Sequence, residues 1–258
     1  MTLAKTKQVT IEGELKLESG ASLQDVTIAY QTYGSLNKDR TNAVLICHAL
    51  TGSAHVACQD DAKTTEIGWW GDLVGPGKGI DTDKYFVICS NCLGSCKGST
   101  GPTSINPKTN TPYGIQFPII TIKDMVIVQK RLCDQLDISQ LYAVVGPSMG
   151  GMQALEWAVS YPAMVKKCMV VAATSKLSVQ GMAFTAVGRH SITSDSQWGK
   201  GAYKPTSKPK TGLGIARMIG HITYLSDEGL TEKFGRKLQK KDDYGYSFDT
   251  DFQIESYL

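Results

Sequence analysis

The sequence predicts an α/β fold with a mostly parallel central sheet that is covered on both faces. Short, continuous apolar runs are the first indication, because a strand buried on both faces does not alternate between apolar and polar residues. Helical segments separate the later runs, and an alternation of strand and helix predicts parallel pairing with right-handed crossovers. The four runs are residues 43–47, 85–89, 141–145 and 168–172.

Two further strands are predicted ahead of these runs, which makes six in total. Apolar residues alternate with polar ones around Val9 and Ile11, and again at Val26, Ile28 and Tyr30. Alternation with a period of two is typical of a strand with one buried face.

Two helices are predicted between and after the central strands. Thr121 and Asp124 have the spacing of a capping box, so a helix should begin there and continue to residue 138. A second helix is predicted over residues 152–160, because Tyr161 and Pro162 end it.

The character of the chain changes near residue 173, where the apolar runs end and amphipathic helical patterns begin. We therefore predict two parts, an α/β core over residues 1–175 and an incomplete helical cap over residues 176–258. Within the second part, residues 199–214 are predicted to form a loop, because Pro205, Pro209 and several lysines lie there.

Composition excludes several functional classes. Of 258 residues, 41% are hydrophobic and 20% charged, which is typical of a globular protein, and a net charge of +3 without a basic patch argues against nucleic-acid binding. No apolar run approaches the roughly 18 residues needed to span a membrane. The seven cysteines, an odd number with no secretory signal before them, indicate reduced thiols and a cytoplasmic protein.

The motif that carries chemistry is Gly-Pro-Ser-Met-Gly-Gly at residues 146–151, between a predicted strand and a predicted helix. Such a sharp turn strains the serine backbone and lifts its hydroxyl clear of the sheet edge, and small residues on both sides let the turn pack closely. We therefore predict an α/β-hydrolase fold with Ser148 as the nucleophile and the Met149 N–H as one oxyanion donor. A glycine-rich turn with an incidental serine is the alternative, and the flanking elements argue against it.

The second oxyanion donor is expected in residues 48–52, the loop that follows the strand at 43–47. The Leu50 N–H is the candidate. His48 is interpreted as a structural histidine that bonds this loop's backbone, because a catalytic histidine follows the nucleophile in this fold.

The cysteines at positions 89, 92 and 96 could suggest a metal or iron–sulfur site. We predict no metal there, because a fourth ligand is missing and Cys89 closes an apolar strand.

Four segments together resemble the homoserine O-acetyltransferase family: residues 48–55, 69–77, 91–102 and 146–153. The resemblance implies transfer of an acetyl group from acetyl-CoA to the hydroxyl of L-homoserine, through an acyl-serine intermediate, in methionine biosynthesis. Acetyl-CoA would be a co-substrate, with no permanently bound cofactor, and a homodimer is expected.

The same resemblance implies that Arg217, Tyr224 and Thr51 bind homoserine, a role for which a guanidinium is suited because it grips a carboxylate through two hydrogen bonds. The family continues past the segment matched by residues 252–258, and its catalytic aspartate and histidine follow there. We therefore expect the final sheet elements to be missing from these 258 residues. We also expect the 258 residues alone to turn over far more slowly than a completed chain.

Three alternatives remain open at this point. An esterase on the same fold differs only in that water accepts the acyl group, and a homoserine O-succinyltransferase differs only in the acyl donor. An inactive fragment that acts by association is the alternative outside the enzymes.

Overall fold

The computed structural model describes residues 5–57, 68–203 and 206–258. Within these ranges the strands are β1 Lys7–Lys16, β2 Ser22–Tyr33, β3 Ala43–Ile46, β4 Val74–Gly75, β5 Ile80–Asp81, β6 Phe86–Ser90, β7 Ile105–Asn106, β8 Thr111–Pro112, β9 Ala143–Pro147 and β10 Cys168–Val171. The α-helices are α1 Ile122–Gln135, α2 Met149–Ser160, α3 Val179–Ser194, α4 Lys210–Tyr224, α5 Asp227–Phe234 and α6 Gln253–Tyr257. Short 3-10 helices lie at Gly114–Gln116, Pro162–Met164 and Gly199–Gly201.

The six predicted strands form one sheet in the order β1-β2-β6-β3-β9-β10. The four apolar runs form β6, β3, β9 and β10, and these neighbours pair in parallel. Strand β2 pairs antiparallel with β1 on one side and with β6 on the other. Strand β3 lies at the centre, with Leu45 opposite Ile88 on one side and Val144 on the other. The predicted α/β fold with a mostly parallel sheet is therefore confirmed.

Burial on both faces explains why the central strands are continuously apolar. All four residues of β3 are buried, and they alternate between two apolar clusters. Leu45 packs in the first cluster, with Leu132 of α1 and Trp157 of α2, whereas Val44 and Ile46 face the second. Within this part of the chain, segments at 54–57 and 69–74 cover the second face.

The chain divides into two units, Met1–Lys176 and Leu177–Leu258. The first contains all the named strands with α1 and α2, and the second contains α3 to α6, of which α3 packs against α4. Among the described residues no strand element follows β10, and none pairs with its outer edge. No helix in those residues has the length and apolarity of a membrane span. That the second unit acts as a cap stays a prediction.

Three predicted boundaries differ from the structure by three residues or more, whereas the central strands shift by one or two residues. Helix α1 ends at Gln135 rather than at residue 138, because Asp137 adopts the left-handed region with φ 52°. Helix α2 begins directly after Ser148, three residues earlier than expected. The prediction of a loop at 199–214 was wrong from residue 210 onward, where α4 begins. Pro209 directly precedes the helix, a position where the missing N–H of proline costs no intrahelical hydrogen bond. Pro205 lies outside the described residues.

The predicted capping box is present and also ties α1 to the turn between β1 and β2. Asp124 is fully buried, and its carboxylate accepts hydrogen bonds from the Thr121 N–H at 2.9 Å and the Thr121 hydroxyl at 3.1 Å. Its other oxygen accepts from the Glu18 N–H at 2.9 Å. A sequence-local cap thus also fixes a contact between distant segments.

We expect Asp124→Ala to lower the free energy of unfolding by about 1–3 kcal/mol, because it removes half of the capping box and the acceptor of the Glu18 N–H. Asp134→Ala is the matched control on the same helix, since this exposed carboxylate only pairs with Lys130 at 2.7 Å. That change should cost at most about 0.5 kcal/mol. Urea unfolding followed by circular dichroism measures both, and equal losses would contradict the role given to Asp124.

Candidate active site

Ser148 occupies a strained turn between β9 and α2, as the motif predicts. Its backbone has φ 55° and ψ −124°, a region that costs a non-glycine residue free energy, and its side chain is exposed. The Ser148 N–H donates to the Val171 carbonyl at 2.9 Å, and the Ser148 carbonyl accepts from Gly151 at 2.8 Å and Met152 at 3.1 Å. These hydrogen bonds to β10 and to α2 hold the residue in its strained conformation.

Glycines around Ser148 are required by close backbone approach. A methyl group added at Gly146 would overlap the carbonyl oxygen of Gly150, and one at Gly150 would overlap the carbonyl oxygen of Cys47. At Gly151 it would lie 2.6 Å from the Cβ of Ala173. The first turn of α2 therefore packs directly against the end of β3 and the loop that follows it.

That loop, residues 47–52, continues from β3 beside the end of β9. Ile46 pairs with Val145, and the Cys47 N–H donates to the Val145 carbonyl at 2.9 Å. A tight turn follows in which the Gly52 N–H donates to the Ala49 carbonyl at 2.9 Å. Leu50 stands at the tip of this turn, with its side chain 74% exposed.

In the part of the chain that the structure describes, backbone amides on both segments at this edge have no hydrogen-bond acceptor. Among the described residues, neither the Leu50 N–H nor the Met149 N–H donates to a backbone or side-chain atom. The Met149 N–H also belongs to the first turn of α2, where the helix dipole is positive. The Leu50 and Met149 amides are thus available as donors, one on each of the two segments that meet at Gly150.

The predicted site residues divide between the two units. Leu50, Thr51, Ser148 and Met149 lie together at the carboxyl ends of β3 and β9. Arg217 and Tyr224 belong to the second unit, where both are exposed on α4. Their spacing of seven residues puts them on one face of that helix, two turns apart.

The histidines differ in their surroundings. His48 is buried, and its ring bonds the Ala49 carbonyl at 2.7 Å, as predicted for a structural histidine, and the Cys92 N–H at 3.1 Å. Burial lowers its pKa. In the second unit, Nε2 of His190 on α3 lies 3.3 Å from the Ser194 hydroxyl. Nδ1 of His221 on α4 lies 3.0 Å from the Tyr257 hydroxyl.

A buried polar network lies beneath Ser148, and sequence reasoning missed it. Gln153 of α2 accepts from the Gln129 amide at 2.7 Å and from the Cys92 thiol at 3.5 Å. Gln129 in turn accepts from the Trp157 indole at 2.8 Å. The available signal was a pair of glutamines on the apolar faces of two helices, because buried polar groups need partners.

The cysteine motif lies close to this network. Burial raises the pKa of Cys89 well above its ordinary value and that of Cys92 to about 12, so both thiols stay protonated. Cys96 is exposed. No group of three or more histidine, cysteine or acidic residues suited to a metal occurs in the described part of the chain.

The chain is similar to known proteins in sequence and in structure. A family described as having the alpha/beta hydrolase fold matches residues 42–249. The chain is 59% identical over 255 residues to a homoserine O-acetyltransferase of Methanobrevibacter ruminantium, a match covering 98% of this chain and 52% of that relative. The chain spans about half the length of the curated relatives it matches.

Two solved structures align over most of the chain. A homoserine O-acetyltransferase from Bacillus anthracis aligns with a TM-score of 0.88 and 32% identity, covering 100% of this chain and 70% of that one. Esterase E22 aligns with a TM-score of 0.87 and 33% identity, covering 98% and 71% respectively.

We expect Gly150→Ala to lower the free energy of unfolding by about 1–3 kcal/mol, because the added methyl group must push the Cys47 carbonyl away. Gly214→Ala is the matched control, since Gly214 lies inside α4 with no atom within 4 Å of an added Cβ. That change should raise the stability by up to about 1 kcal/mol. Urea titration of both variants tests the expectation, and an unchanged midpoint for Gly150→Ala would refute the close approach.

Proposed function

The chain belongs to the α/β-hydrolase fold family, and from that premise we propose that it moves an acetyl group from acetyl-CoA to the hydroxyl of L-homoserine. The observation that carries the proposal is Ser148, strained and exposed beside two amides that have no acceptor among the described residues. The names of the curated relatives support homoserine as the acceptor.

The proposed reaction has two steps that share one intermediate. The Ser148 hydroxyl oxygen attacks the thioester carbonyl, and the negative oxygen that develops accepts hydrogen bonds from the Leu50 and Met149 amides. The carbon–sulfur bond then breaks, and CoA leaves with the serine proton. In the second step the homoserine hydroxyl attacks the acyl-serine, O-acetylhomoserine leaves, and the proton of the homoserine hydroxyl returns to Ser148.

The acceptor is proposed to bind through Arg217, Tyr224 and Thr51. Support for Arg217 comes from its exposure and from the bidentate geometry of a guanidinium with a carboxylate. Tyr224, on the same face of α4 and 79% exposed, could donate a hydrogen bond to the same molecule. Thr51 is also exposed, in the loop that carries Leu50.

His48 is unsuited to take the Ser148 proton. Its Nε2 already accepts the hydrogen bond from the Cys92 N–H, and its Nδ1 donates to the Ala49 carbonyl. We therefore propose no catalytic base role for this residue.

Ester hydrolysis is the second candidate function. The likeness to esterase E22, over 71% of that chain, favours it, because the two activities share the acyl-serine and differ in whether water or an alcohol accepts the acyl group. Partition of the acyl-serine between water and added homoserine discriminates between them. A succinyl donor in place of acetyl is discriminated by comparing the two CoA thioesters.

The biological setting is also a proposal. We propose a cytoplasmic homodimer in methionine biosynthesis with no permanently bound cofactor. The described cysteines are free thiols, which fits a reducing compartment. Exposed apolar side chains on α3 and α4, among them Val179, Val187, Leu213 and Ile222, support self-association.

In a full-length version of the chain, we expect Ser148→Ala to abolish acetyl transfer while leaving the fold intact, because this exposed hydroxyl makes the covalent bond and little of the packing. Ser160→Ala, at the other end of α2, is the matched control, since its hydroxyl only contacts Glu156. Intact-mass spectrometry after acetyl-CoA treatment should detect one acetyl group on the parent and on Ser160→Ala. An adduct that persists on Ser148→Ala would end the assignment.

We expect Arg217→Ala to raise the homoserine concentration needed for deacylation, with acylation by acetyl-CoA nearly unchanged. A lost charge-assisted bidentate contact costs about 1.5–3 kcal/mol, or roughly tenfold to over a hundredfold in affinity. Arg189→Ala, which removes an exposed arginine from α3, controls for loss of positive charge. Separate rates for CoA release and for deacylation measure the effect, and equal loss in both steps would contradict the role.

A further inference from the structure

We propose that His48 is a positioning residue whose neutral ring, with its proton on Nδ1, aims the Leu50 N–H at the oxyanion formed on Ser148, an inference that rests on the proposed acyl transfer. His48 touches no reacting atom. It acts through the peptide group between Ala49 and Leu50.

The partners of His48 determine which ring nitrogen carries the proton. The Ala49 carbonyl, 2.7 Å from Nδ1, can only accept a hydrogen bond, so Nδ1 must be the donor. The Cys92 N–H, 3.1 Å from Nε2, can only donate, so Nε2 must be unprotonated. Because the ring is only 1% exposed, burial disfavours its charged form, and the lowered pKa of His48 agrees with this neutral tautomer.

Peptide planarity connects the His48 ring to the Leu50 amide. The carbonyl of Ala49 and the N–H of Leu50 belong to one rigid, planar unit and point in opposite directions. The Ala49 oxygen accepts from His48 Nδ1 and also from the Gly52 N–H at 2.9 Å. Rotation of this peptide would break both hydrogen bonds. The two hydrogen bonds to the Ala49 carbonyl therefore fix the direction of the Leu50 N–H.

The His48 ring is also linked to the second oxyanion donor. Cys92, which anchors Nε2, donates its thiol hydrogen to Gln153 at 3.5 Å. The amide of Gln153 donates to the Met149 carbonyl at 3.2 Å and to the His48 carbonyl at 3.5 Å. Gln153 is fully buried, so one network holds both the Leu50 loop and the first turn of α2.

Two substitutions separate the positioning role from a merely structural one. His48→Asn retains an N–H donor near the position of Nδ1 and loses the acceptor for Cys92. His48→Gln retains an acceptor near the position of Nε2 and loses the donor to Ala49. Each variant loses one hydrogen bond to the backbone, so a purely structural role predicts equal effects, whereas the positioning role predicts unequal ones.

The experiment measures acetylation of Ser148 by 4-nitrophenyl acetate, which needs neither CoA nor homoserine. In this step the bond from the serine oxygen to the acetyl carbon forms, 4-nitrophenolate leaves, and the serine proton passes to water. Peptide mass spectrometry locates the adduct, and Ser148→Ala gives the background. Circular dichroism verifies that each variant is folded at the assay temperature.

We expect His48→Gln to lower the maximal acylation rate by roughly tenfold to a hundredfold, somewhat less than removal of a whole oxyanion donor. The ester concentration at half-maximal rate should stay unchanged, because the ground-state ester gains little from this donor. His48→Asn should retain most of the parent rate. Nitrogen-15 NMR of the parent's His48 ring should find the neutral form with the proton on Nδ1, a measurement that does not depend on whether either variant folds.

Several outcomes would overturn the proposal: equal loss in the two variants, a change confined to the half-maximal ester concentration, a proton found on Nε2, or no Ser148 adduct on the parent. Failure of the proposed function looks different. An acetyl-Ser148 that forms with the ester but is not discharged by homoserine would refute the acceptor and leave the role of His48 intact.

Discussion

The close approach of Gly150 to the Cys47 carbonyl is the constraint on which the site depends. Parallel pairing of β3 with β9 brings the ends of the two strands side by side, and glycine at position 150 lets the first turn of α2 rest on the β3 loop. Any side chain there would separate the two segments. Since one segment carries the Leu50 amide and the other the Met149 amide, the distance between the proposed oxyanion donors follows from this contact.

The strained backbone of Ser148 is held from the opposite side of β9. Val171 of β10 pairs with Pro147, and its carbonyl accepts the Ser148 N–H. A strained backbone conformation persists only where surrounding contacts hold it in place. Here β10 holds the Ser148 N–H, and the first turn of α2 holds the Ser148 carbonyl. Strand β10, which is one of the two edge strands of this sheet among the described residues, therefore contributes to the geometry of the turn.

How much the sequence predicts depends on how local each signal is. The capping box at Thr121, the apolar runs and the turn at Ser148 are encoded within a few residues, and all are present in the structure. The two-residue strands β4, β5, β7 and β8 were not predicted, because such short pairs depend on tertiary contacts. The partners of Gln129, Gln153 and His48 were equally hidden, since they come from segments up to 105 residues apart. Position along the chain suggested that His48 is structural, but only its contacts define the tautomer.

The network beneath Ser148 is uncharged, and this bears on how the site would stabilise negative charge. Burial raises the pKa of the Cys47 and Cys92 thiols and lowers that of His48, so each of these groups is neutral in the folded chain. A buried charge would be costly to desolvate and would add its own field at the reacting atoms. With neutral groups below, the dipoles that we propose to stabilise the oxyanion are those of the two amides and of the first turn of α2, which are in place before the charge develops. Fixed dipoles need no reorganisation as the reaction proceeds. The proposed contribution of the network to catalysis is therefore to orient two amides, and it requires no buried charge.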